Sequence, residues 1–506
     1  MIHHLQLLLA VCLSCLSAVT LYAQSVPVTG TDVPALHALD SAMLRVMKEF
    51  DLPGGQLAVT KDGRLVYDRG FGWADTSAKT SVEPTTLFRI ASCSKPITAV
   101  AVLALVEEGK LSLDARVVDV LSELQPIPGR QRMPFWDSIT VRHLLYHAGG
   151  WDRDVAGDVQ YLYYRAAARA LGVEEPAGAR DIVRFMLDKP LQFRPGSRIA
   201  YSNFGYNVLG RVIEAASGQS YEDAVRQRIW EVVGTSRPRI GGTRLSERFE
   251  NEAVYYVGPM FEPVYSLFCD EENRVPLSYG GDFVTAALDA HGGWVCSASD
   301  MVRFMTSLDT STNRPHILAP QTIRTMEERS GIPGYTDGSA YQATGWVCLD
   351  SGSTWTHSGA LYGTSSSMWR FGSSGITYAW VCNGIAMDRL ASMYRSIDSS
   401  VRSILEGVEG ANWPQHDFFS TVKVVDENNE PTSLRISPNP STTLVTVELP
   451  ANVSLPSTLL VVSATGEQSE YVVPSHTSSI DVSGLPSGSY TVSLRNGPST
   501  LIVIRR

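Results

Sequence analysis

Hydrophobic residues recur every three or four positions in several stretches between residues 35 and 306, with polar residues between them. This spacing places the apolar side chains on one face of a helix. The segment 95–108 is apolar on nearly all sides, which is typical of a helix buried in a core. The pattern predicts helices over residues 35–50, 95–108, 141–147, 179–187, 205–216, 221–232 and 298–306.

Shorter runs rich in β-branched and aromatic residues predict strands. Residues 56–60 and 64–67 flank the dipeptide Asp62-Gly63, which is typical of a tight hairpin turn. Residues 364–370 and 377–382 flank a Gly-Ser-Ser-Gly segment and predict a second pair of strands. Because these strands alternate with helices along the chain, we expect one mixed α/β unit over residues 33–410.

The character of the sequence changes after Gly410. Residues 411–433 are polar and predict a linker. From Leu434 onward, short alternating runs are separated by Pro, Gly, Asn or Ser, and helical spacing is lacking. This pattern predicts a small all-β sandwich over residues 434–506.

The N-terminus has the composition of an export signal. Residues 5–21 form an almost unbroken apolar run, and Ala23 provides a small residue at a plausible cleavage point. We therefore expect a signal peptide over residues 1–23 and no membrane span in the mature chain. The alternative is a single membrane anchor, for which the run is of marginal length.

Charge and cysteine content exclude several functions. The formal net charge is −10 and no basic cluster stands out, which argues against nucleic acid as a partner. His143 and His147 share a helix face, but Leu144 stands where a zinc peptidase motif needs glutamate. We therefore expect neither a metal nor a cofactor. The mature chain keeps an odd number of widely spaced cysteines, so at least one thiol stays unpaired, and we expect mostly buried small apolar side chains with one disulfide left open: Cys93, Cys269, Cys296, Cys348 and Cys382.

Candidate chemistry begins at Ser92-Cys-Ser-Lys95, where the apolar helix starts. Residues three apart on a helix have Cβ atoms about 5–6 Å apart, so Ser92 and Lys95 are able to touch. A serine hydroxyl needs a base to become a nucleophile, and a desolvated lysine is able to supply it. The same tetrad at Ser420 to Lys423 lies in the polar linker, and we set it aside.

Two further segments offer partners for Ser92. Tyr201-Ser-Asn203 follows a Pro-Gly turn and precedes a predicted helix. An ammonium beside Tyr201 would favour its phenolate, which would shuttle the serine proton, while the Asn203 amide would bind Lys95 and a substrate carbonyl. His357-Ser358-Gly359 lies on a predicted strand, and the N–H of Ala360 with that of Ser92 would form an oxyanion hole. Taken alone, Tyr201 and His357 are equally compatible with structural roles.

Taken together, these segments resemble the serine β-lactamase and DD-peptidase superfamily, in particular its class C and esterase-like branch. The resemblance extends over about residues 35–405 and is carried by residues 88–95, 139–149, 195–197, 201–203, 292–300 and 357–359. It implies an antiparallel sheet flanked by helices, with a helical subdomain and the active site between them. It also implies Ser92 as nucleophile, Lys95 and Tyr201 as the base pair, and Asn203, His357, Ser358, Gly359 and Ala360 beside the substrate.

Two departures from the family pattern affect the expected substrate. Class C β-lactamases typically carry lysine where this chain has His357, and histidine is mostly neutral at pH 7. We therefore expect an amide or ester hydrolase, such as a DD-peptidase, a D-amino-acid peptidase or an esterase, with weak β-lactamase activity at most. Residues 240–290 form a long insertion that we expect to shape the pocket. The alternative is a penicillin-binding sensor or an inactive surface binding protein.

The C-terminal segment resembles a type IX secretion (Por system) sorting domain. The resemblance is carried by residues 436–440, 462–466, 480–490 and 501–504. It implies that residues 434–506 bind the type IX machinery, and that the protein is secreted or attached to the cell surface after export through the periplasm. The alternative is a sandwich module that binds sugar or cell wall.

Overall fold

The computed structural model describes residues 26–268, 274–334, 336–337 and 340–420, together with seven strands between residues 435 and 504. The predicted signal peptide, most of the predicted linker and Cys269 lie outside the described residues. The chain divides into two compact units, residues 1–422 and 423–506. None of the described helices is long and apolar enough to cross a membrane.

The first unit is built on a ten-stranded sheet in which all the paired strands run antiparallel. Strands from the beginning and from the end of this unit's sequence pair in the middle of the sheet, where the strand at residues 54–61 lies beside the strand at residues 376–382. In spatial order the strands are Val28–Thr29, Arg64–Asp75, Gly54–Lys61, Ile376–Cys382, Thr364–Phe371, Thr354–Leu361, Val347–Leu349, Ala340–Gln342 and Thr336–Asp337, with Thr80–Ser81 paired to Arg64–Asp75.

The central strands are buried on both faces because helices cover each side. Along Ile376–Cys382, Tyr378 and Trp380 join one hydrophobic cluster, whereas Ala379 and Val381 join the other. Side chains alternate between the faces of a strand, so a continuous apolar run fits a sheet covered on both sides. Helices His37–Glu49 and Leu390–Glu406 supply one cover, and helix Ala298–Thr306 packs on the opposite face.

A largely helical region adjoins the sheet. Its centre is helix Ser94–Glu107, in which every side chain from Ser94 to Leu105 is buried. Helix Asn203–Ser217 packs against it. The remaining described α-helices are Val117–Val120, Val141–Leu145, Arg153–Ala156, Val159–Leu162, Tyr164–Leu171, Ala179–Met186, Tyr221–Val225, Asp289–Gly292 and Pro320–Thr325. Three short strands, Phe88–Arg89, Trp294–Cys296 and Arg239–Ile240, form a small separate sheet, and Val264–Tyr265 pairs with Arg274–Val275.

The helix predicted over residues 221–232 changes type partway. An α-helix spans Tyr221–Val225, and a π-helical turn follows over Arg226–Trp230. The wider turn shifts the phase of the residues after it. Here it accompanies full burial of Trp230, whose ring packs edge-on against Trp294 with centroids 5.6 Å apart.

Four of the cysteines in the described residues are free thiols buried in the core: Cys93, Cys296, Cys348 and Cys382. They act there as small apolar side chains. No disulfide therefore joins these four residues to one another.

The second unit contains seven described strands in two antiparallel sheets. One sheet comprises Arg435–Ser437, Leu444–Glu448 and Thr477–Asp481, and the other comprises Gln468–Val473, Ser457–Ser463, Gly488–Leu494 and Ser499–Ile504. The alternating runs in the sequence thus form strands, while the packing of the two sheets into a sandwich stays a prediction.

Candidate active site

Ser92 lies in a short 3-10 turn, Ala91–Cys93, directly before helix Ser94–Glu107. Ala91 has a φ of +47°, in the left-handed region that residues with a Cβ rarely adopt. Such strain persists only where the surrounding structure enforces it, and it is concentrated at functional sites. Lys95 follows on the first turn of the helix, and its Nζ lies 3.0 Å from Ser92 Oγ and 2.8 Å from the His291 carbonyl oxygen.

Tyr201 approaches Ser92 from a distant part of the chain. Its hydroxyl lies 2.9 Å from Ser92 Oγ, so the serine oxygen is within hydrogen-bonding distance of both predicted partners. Helix Asn203–Ser217 begins just after it, capped by Ser202, whose Oγ accepts a hydrogen bond from the N–H of Gly205 at 3.0 Å. The cap fixes the backbone at the point from which Tyr201 projects.

His147 holds Tyr201 from three directions. The carbonyl oxygen of His147 accepts the N–H of Ala200 at 2.9 Å, and its Nδ1 accepts the N–H of Ser202 at 3.1 Å. Its ring stacks on the Tyr201 ring with centroids 4.6 Å apart. His147 is buried, and burial lowers its pKa well below the ordinary value, so it is a neutral support for the phenol.

Burial sets the protonation of both groups beside Ser92. Desolvation lowers the pKa of Lys95 well below its ordinary value, which favours the neutral amine. Desolvation likewise raises the pKa of Tyr201, which favours the neutral phenol. The prediction that Lys95 would favour the Tyr201 phenolate is therefore wrong, because the two groups share a dehydrated environment in which neither is readily charged.

The strand Thr354–Leu361 lies beside Ser92, and the second half of this strand pairs with another strand on one side only. Its neighbour Val347–Leu349 pairs only with residues 354–356, so the later residues lack a partner on that side. Leu361 and Thr364 flank a two-residue turn, so they form a hydrogen-bonded pair. Hydrogen-bonded and non-hydrogen-bonded pairs alternate along antiparallel strands, so the next pair, Ala360 with Ser365, is not hydrogen-bonded. The N–H of Ala360 accordingly points away from the paired strand, toward the open edge.

Gly359 makes this close approach possible. A Cβ added at this position would overlap the carbonyl oxygen of Ile90 and would lie 3.0 Å from the backbone nitrogen of Ser92. Only a residue without a side chain therefore lets the strand and the Ser92 turn come together. The two N–H groups predicted to form an oxyanion hole lie on these two segments.

His357 is uncharged in this environment. It is 7% exposed, and burial lowers its pKa to about 3. Its Nδ1 lies 2.8 Å from the carbonyl oxygen of Ser358. The predicted neutrality of His357 at pH 7 thus has a direct physical cause.

Asn203 has a partner that differs from the predicted one. Its Nδ2 donates to Asp158 Oδ2 at 2.6 Å, and Lys95 instead donates to the carbonyl oxygen of His291. A carboxylate is a stronger acceptor than a neutral group, which explains why the amide turns toward Asp158. Asn203 Oδ1, the amide atom that would accept from Lys95, has no partner among the described residues, so the predicted hydrogen bond between Asn203 and Lys95 is wrong for this structure.

A cleft of about 830 Å³ opens over these groups. Of the predicted site residues, Ser92, Tyr201, Asn203, His357, Ser358 and Ala360 line it. Lys95 and Gly359 lie beneath the surface against Ser92. The cleft also contains residues that the sequence motifs missed: Arg153, Asp158, Tyr161, Asp282, Tyr362 and Tyr394.

Asp282 belongs to the predicted insertion at residues 240–290, so the insertion does contribute to the cleft. Arg153 lies over the Tyr201 ring, 4.6 Å from its centroid. Neither residue belongs to a motif of the family. Their charge and their position in the sequence near residues 139–149 and 292–300 were the features that pointed to them.

Comparison with known proteins gives a consistent result. Residues 39–398 match the family described as beta-lactamase, and residues 435–504 match the secretion system C-terminal sorting domain. Esterase EstB of Burkholderia gladioli is 36% identical over 212 residues, covering 40% of this chain and 51% of that protein. Penicillin-binding protein 4* of Bacillus subtilis (strain 168) is 32% identical over 216 residues, covering 42% of this chain and 44% of that protein.

The matched region therefore spans about half the length of these two relatives. Among solved structures, D-amino acid amidase from Ochrobactrum anthropi SV3, in complex with L-phenylalanine, aligns with a TM-score of 0.57 and 22% identity. That alignment covers 74% of this chain and 99% of the amidase chain. At this identity the likeness concerns the fold, and it agrees with the predicted sheet flanked by helices.

Proposed function

Since this chain belongs to the beta-lactamase family of serine hydrolases, we propose that it cleaves an amide or ester bond through an acyl-enzyme on Ser92. The observation that carries the proposal is that two groups from different parts of the chain lie within hydrogen-bonding distance of the Ser92 hydroxyl oxygen. Ser92 Oγ lies 3.0 Å from Lys95 Nζ and 2.9 Å from the Tyr201 hydroxyl, at the floor of a cleft.

The proposed acylation begins with the neutral amine of Lys95. It takes the Ser92 proton while Oγ forms a bond to the substrate carbonyl carbon, and the Tyr201 phenol relays a proton to the leaving group as the scissile bond breaks. The N–H groups of Ser92 and Ala360 stabilise the oxyanion, each worth about 3–4 kcal/mol. Water then forms a bond to the acyl carbon and gives up a proton to Lys95 or Tyr201, while the bond from that carbon to Ser92 Oγ breaks; Oγ regains a proton from the same groups and the acid product leaves.

The absence of a fixed cation at His357 favours substrates other than β-lactams. A neutral imidazole holds a substrate carboxylate less firmly than an ammonium does. The names of the matched relatives, an esterase and a penicillin-binding protein, leave a short acyl ester or a peptide as the proposed substrate. We expect cleavage of p-nitrophenyl butyrate and slow turnover of nitrocefin.

The test is a set of hydrolysis rates for p-nitrophenyl butyrate, a D-Ala-D-Ala peptide and nitrocefin. Ser92→Ala should lower ester hydrolysis on the order of 10⁴-fold or more. Ser420→Ala, in the second Ser-x-x-Lys match, is the matched control and should retain wild-type rates. Rapid nitrocefin turnover would contradict the argument from His357. Covalent labelling by penicillin without any turnover would favour the sensor, and no labelling would favour an inactive protein.

The sorting-domain match indicates a cell-surface or extracellular location. We propose that residues 1–23 direct export to the periplasm and that residues 434–506 then engage the type IX machinery. Deleting residues 434–506 should leave an active enzyme in the periplasm, as measured by esterase activity in cell fractions. Surface or extracellular activity at the wild-type level after the deletion would refute this route.

A further inference from the structure

Two carboxylates that line the cleft are close enough for their charges to interact, and we call Asp158 and Asp282 the acidic wall. Asp158 is fixed in place, because Oδ2 accepts Asn203 Nδ2 at 2.6 Å and Oδ1 accepts the Gln160 N–H at 3.2 Å. Asn203 follows Tyr201 by two residues. The acidic wall is thus tied directly to the segment that brings the phenol to Ser92.

Asp282 has no counter-ion. It is half-buried, and within the described part of the chain neither a hydrogen-bond donor nor a cation contacts its carboxylate. Burial, with the nearby charge of Asp158, raises the pKa of Asp282 to about 6. An unpaired carboxylate next to a second one carries an energetic cost that a cation would remove.

Asn203 adds a further unsatisfied acceptor beside the acidic wall. It is 6% exposed and lines the cleft, and its Oδ1 has no hydrogen-bond partner among the described residues. Its Nδ2 is already used by Asp158. Asn203 therefore presents a free acceptor to this side of the cleft, while its own donor is already used.

The cations nearest to the site do not neutralise the acidic wall. Lys95 is fully buried and favours its neutral form. Arg153 lies over the Tyr201 ring, and its guanidinium is 4.0 Å from the carboxylate of Asp154. His357 is neutral. Since none of the described cations forms an ion pair with the acidic wall, a positively charged group of a ligand would be its first counter-ion.

We propose that the acidic wall binds a protonated amino group of the substrate, and that Asp282 is the residue that selects for it. The substrate class is then an ester or amide that carries a free amine, in contrast to one whose amine is acylated. This inference rests on the proposed function, because it assigns a specificity to the same cleft. A bound ammonium would relieve the repulsion between the carboxylates and form charge-assisted hydrogen bonds.

The test compares substrates that differ only in the charge of the amine. The probes are the methyl esters of D-alanine and 4-aminobutyrate, each beside its N-acetyl counterpart, with p-nitrophenyl butyrate as a neutral reference. At pH 7, where Asp282 is ionised, wild type should prefer at least one free-amine ester by about tenfold or more in kcat/KM. Asp282→Asn should remove that preference, measured as the ratio of kcat/KM for each free-amine ester to kcat/KM for its N-acetyl counterpart.

Asp181→Asn is the matched control. Asp181 is half-buried like Asp282, and it lies on helix Ala179–Met186, outside the lining of the cleft. Its substitution by asparagine changes the net charge by the same amount as Asp282→Asn. It should leave every ratio unchanged. The proposal is overturned if wild type prefers neither free-amine ester over its N-acetyl counterpart, or if Asp282→Asn keeps the preference for the amine. Hydrolysis of p-nitrophenyl butyrate in those cases would leave the proposed function standing, whereas failure to cleave any probe would overturn both.

Discussion

Lys95→Met should lower kcat/KM for ester hydrolysis by about 10²–10⁴-fold, the usual contribution of a general base. The side chain keeps its length but loses the amine that lies 3.0 Å from Ser92 Oγ. Lys95→Arg should be equally inactive, because a guanidinium does not give up its proton at accessible pH. Steady-state kinetics with p-nitrophenyl butyrate measures both variants.

The pH dependence gives the same prediction a second readout. Because the folded pKa of Lys95 is lowered, the amine is free above that pKa, so activity should rise with pH through it and be lost below it. Between the lowered pKa of Lys95 and the ordinary lysine pKa, the folded state also binds fewer protons than the unfolded state, which costs stability at neutral pH. Lys95→Met should therefore unfold at an unchanged or higher temperature at pH 7. Wild-type activity in Lys95→Arg would contradict the assignment of Lys95 as the base.

Gly359→Ala should lower kcat by about 10²–10³-fold, the usual effect of losing one oxyanion donor. The added Cβ would overlap the carbonyl oxygen of Ile90 and press on the backbone nitrogen of Ser92 at 3.0 Å. Because both are main-chain atoms, the strand has to move away from Ser92, and the N–H of Ala360 moves with it. The rate of ester hydrolysis and a thermal unfolding curve should be measured together.

Gly407→Ala provides the control for this substitution. A Cβ there would meet its nearest atoms at 3.5 Å, which is ordinary contact, so activity should stay at the wild-type level. If Gly359→Ala folds and retains wild-type kcat, the proposed oxyanion hole is wrong.

The sequence pattern predicted helix bounds best where apolar residues recur with helical spacing. Helix Ala298–Thr306 has the predicted bounds, and the predicted helix at 179–187 appears as Ala179–Met186. The lengths of the strands were underestimated. The strand predicted at residues 64–67 spans Arg64–Asp75, because burial on both faces removes the alternation of apolar and polar residues that would mark the end of the strand. Helix Leu390–Glu406 was not predicted, since serines fill much of its polar face and weaken the helical signal.

The predicted contact between Ser92 and Lys95 follows from local helical spacing, whereas the approach of Tyr201 depended on the family resemblance. The family resemblance is confirmed by the match over residues 39–398. Two features of the site could not be predicted from the sequence. The pairing of Asn203 with Asp158 joins a motif to a loop 45 residues away, and no local pattern marks it. The shifts in the pKa of Lys95 and Tyr201 depend on the water that the fold excludes, which spacing along the chain does not encode.

The most direct measurement is the mass of the enzyme after brief reaction with a slowly hydrolysed ester or a fluorophosphonate, followed by mapping of the modified peptide. We expect one adduct, located on Ser92, formed in wild type and missing from Ser92→Ala. An adduct on another residue, or substrate turnover that Ser92→Ala sustains at the wild-type rate, would contradict the account.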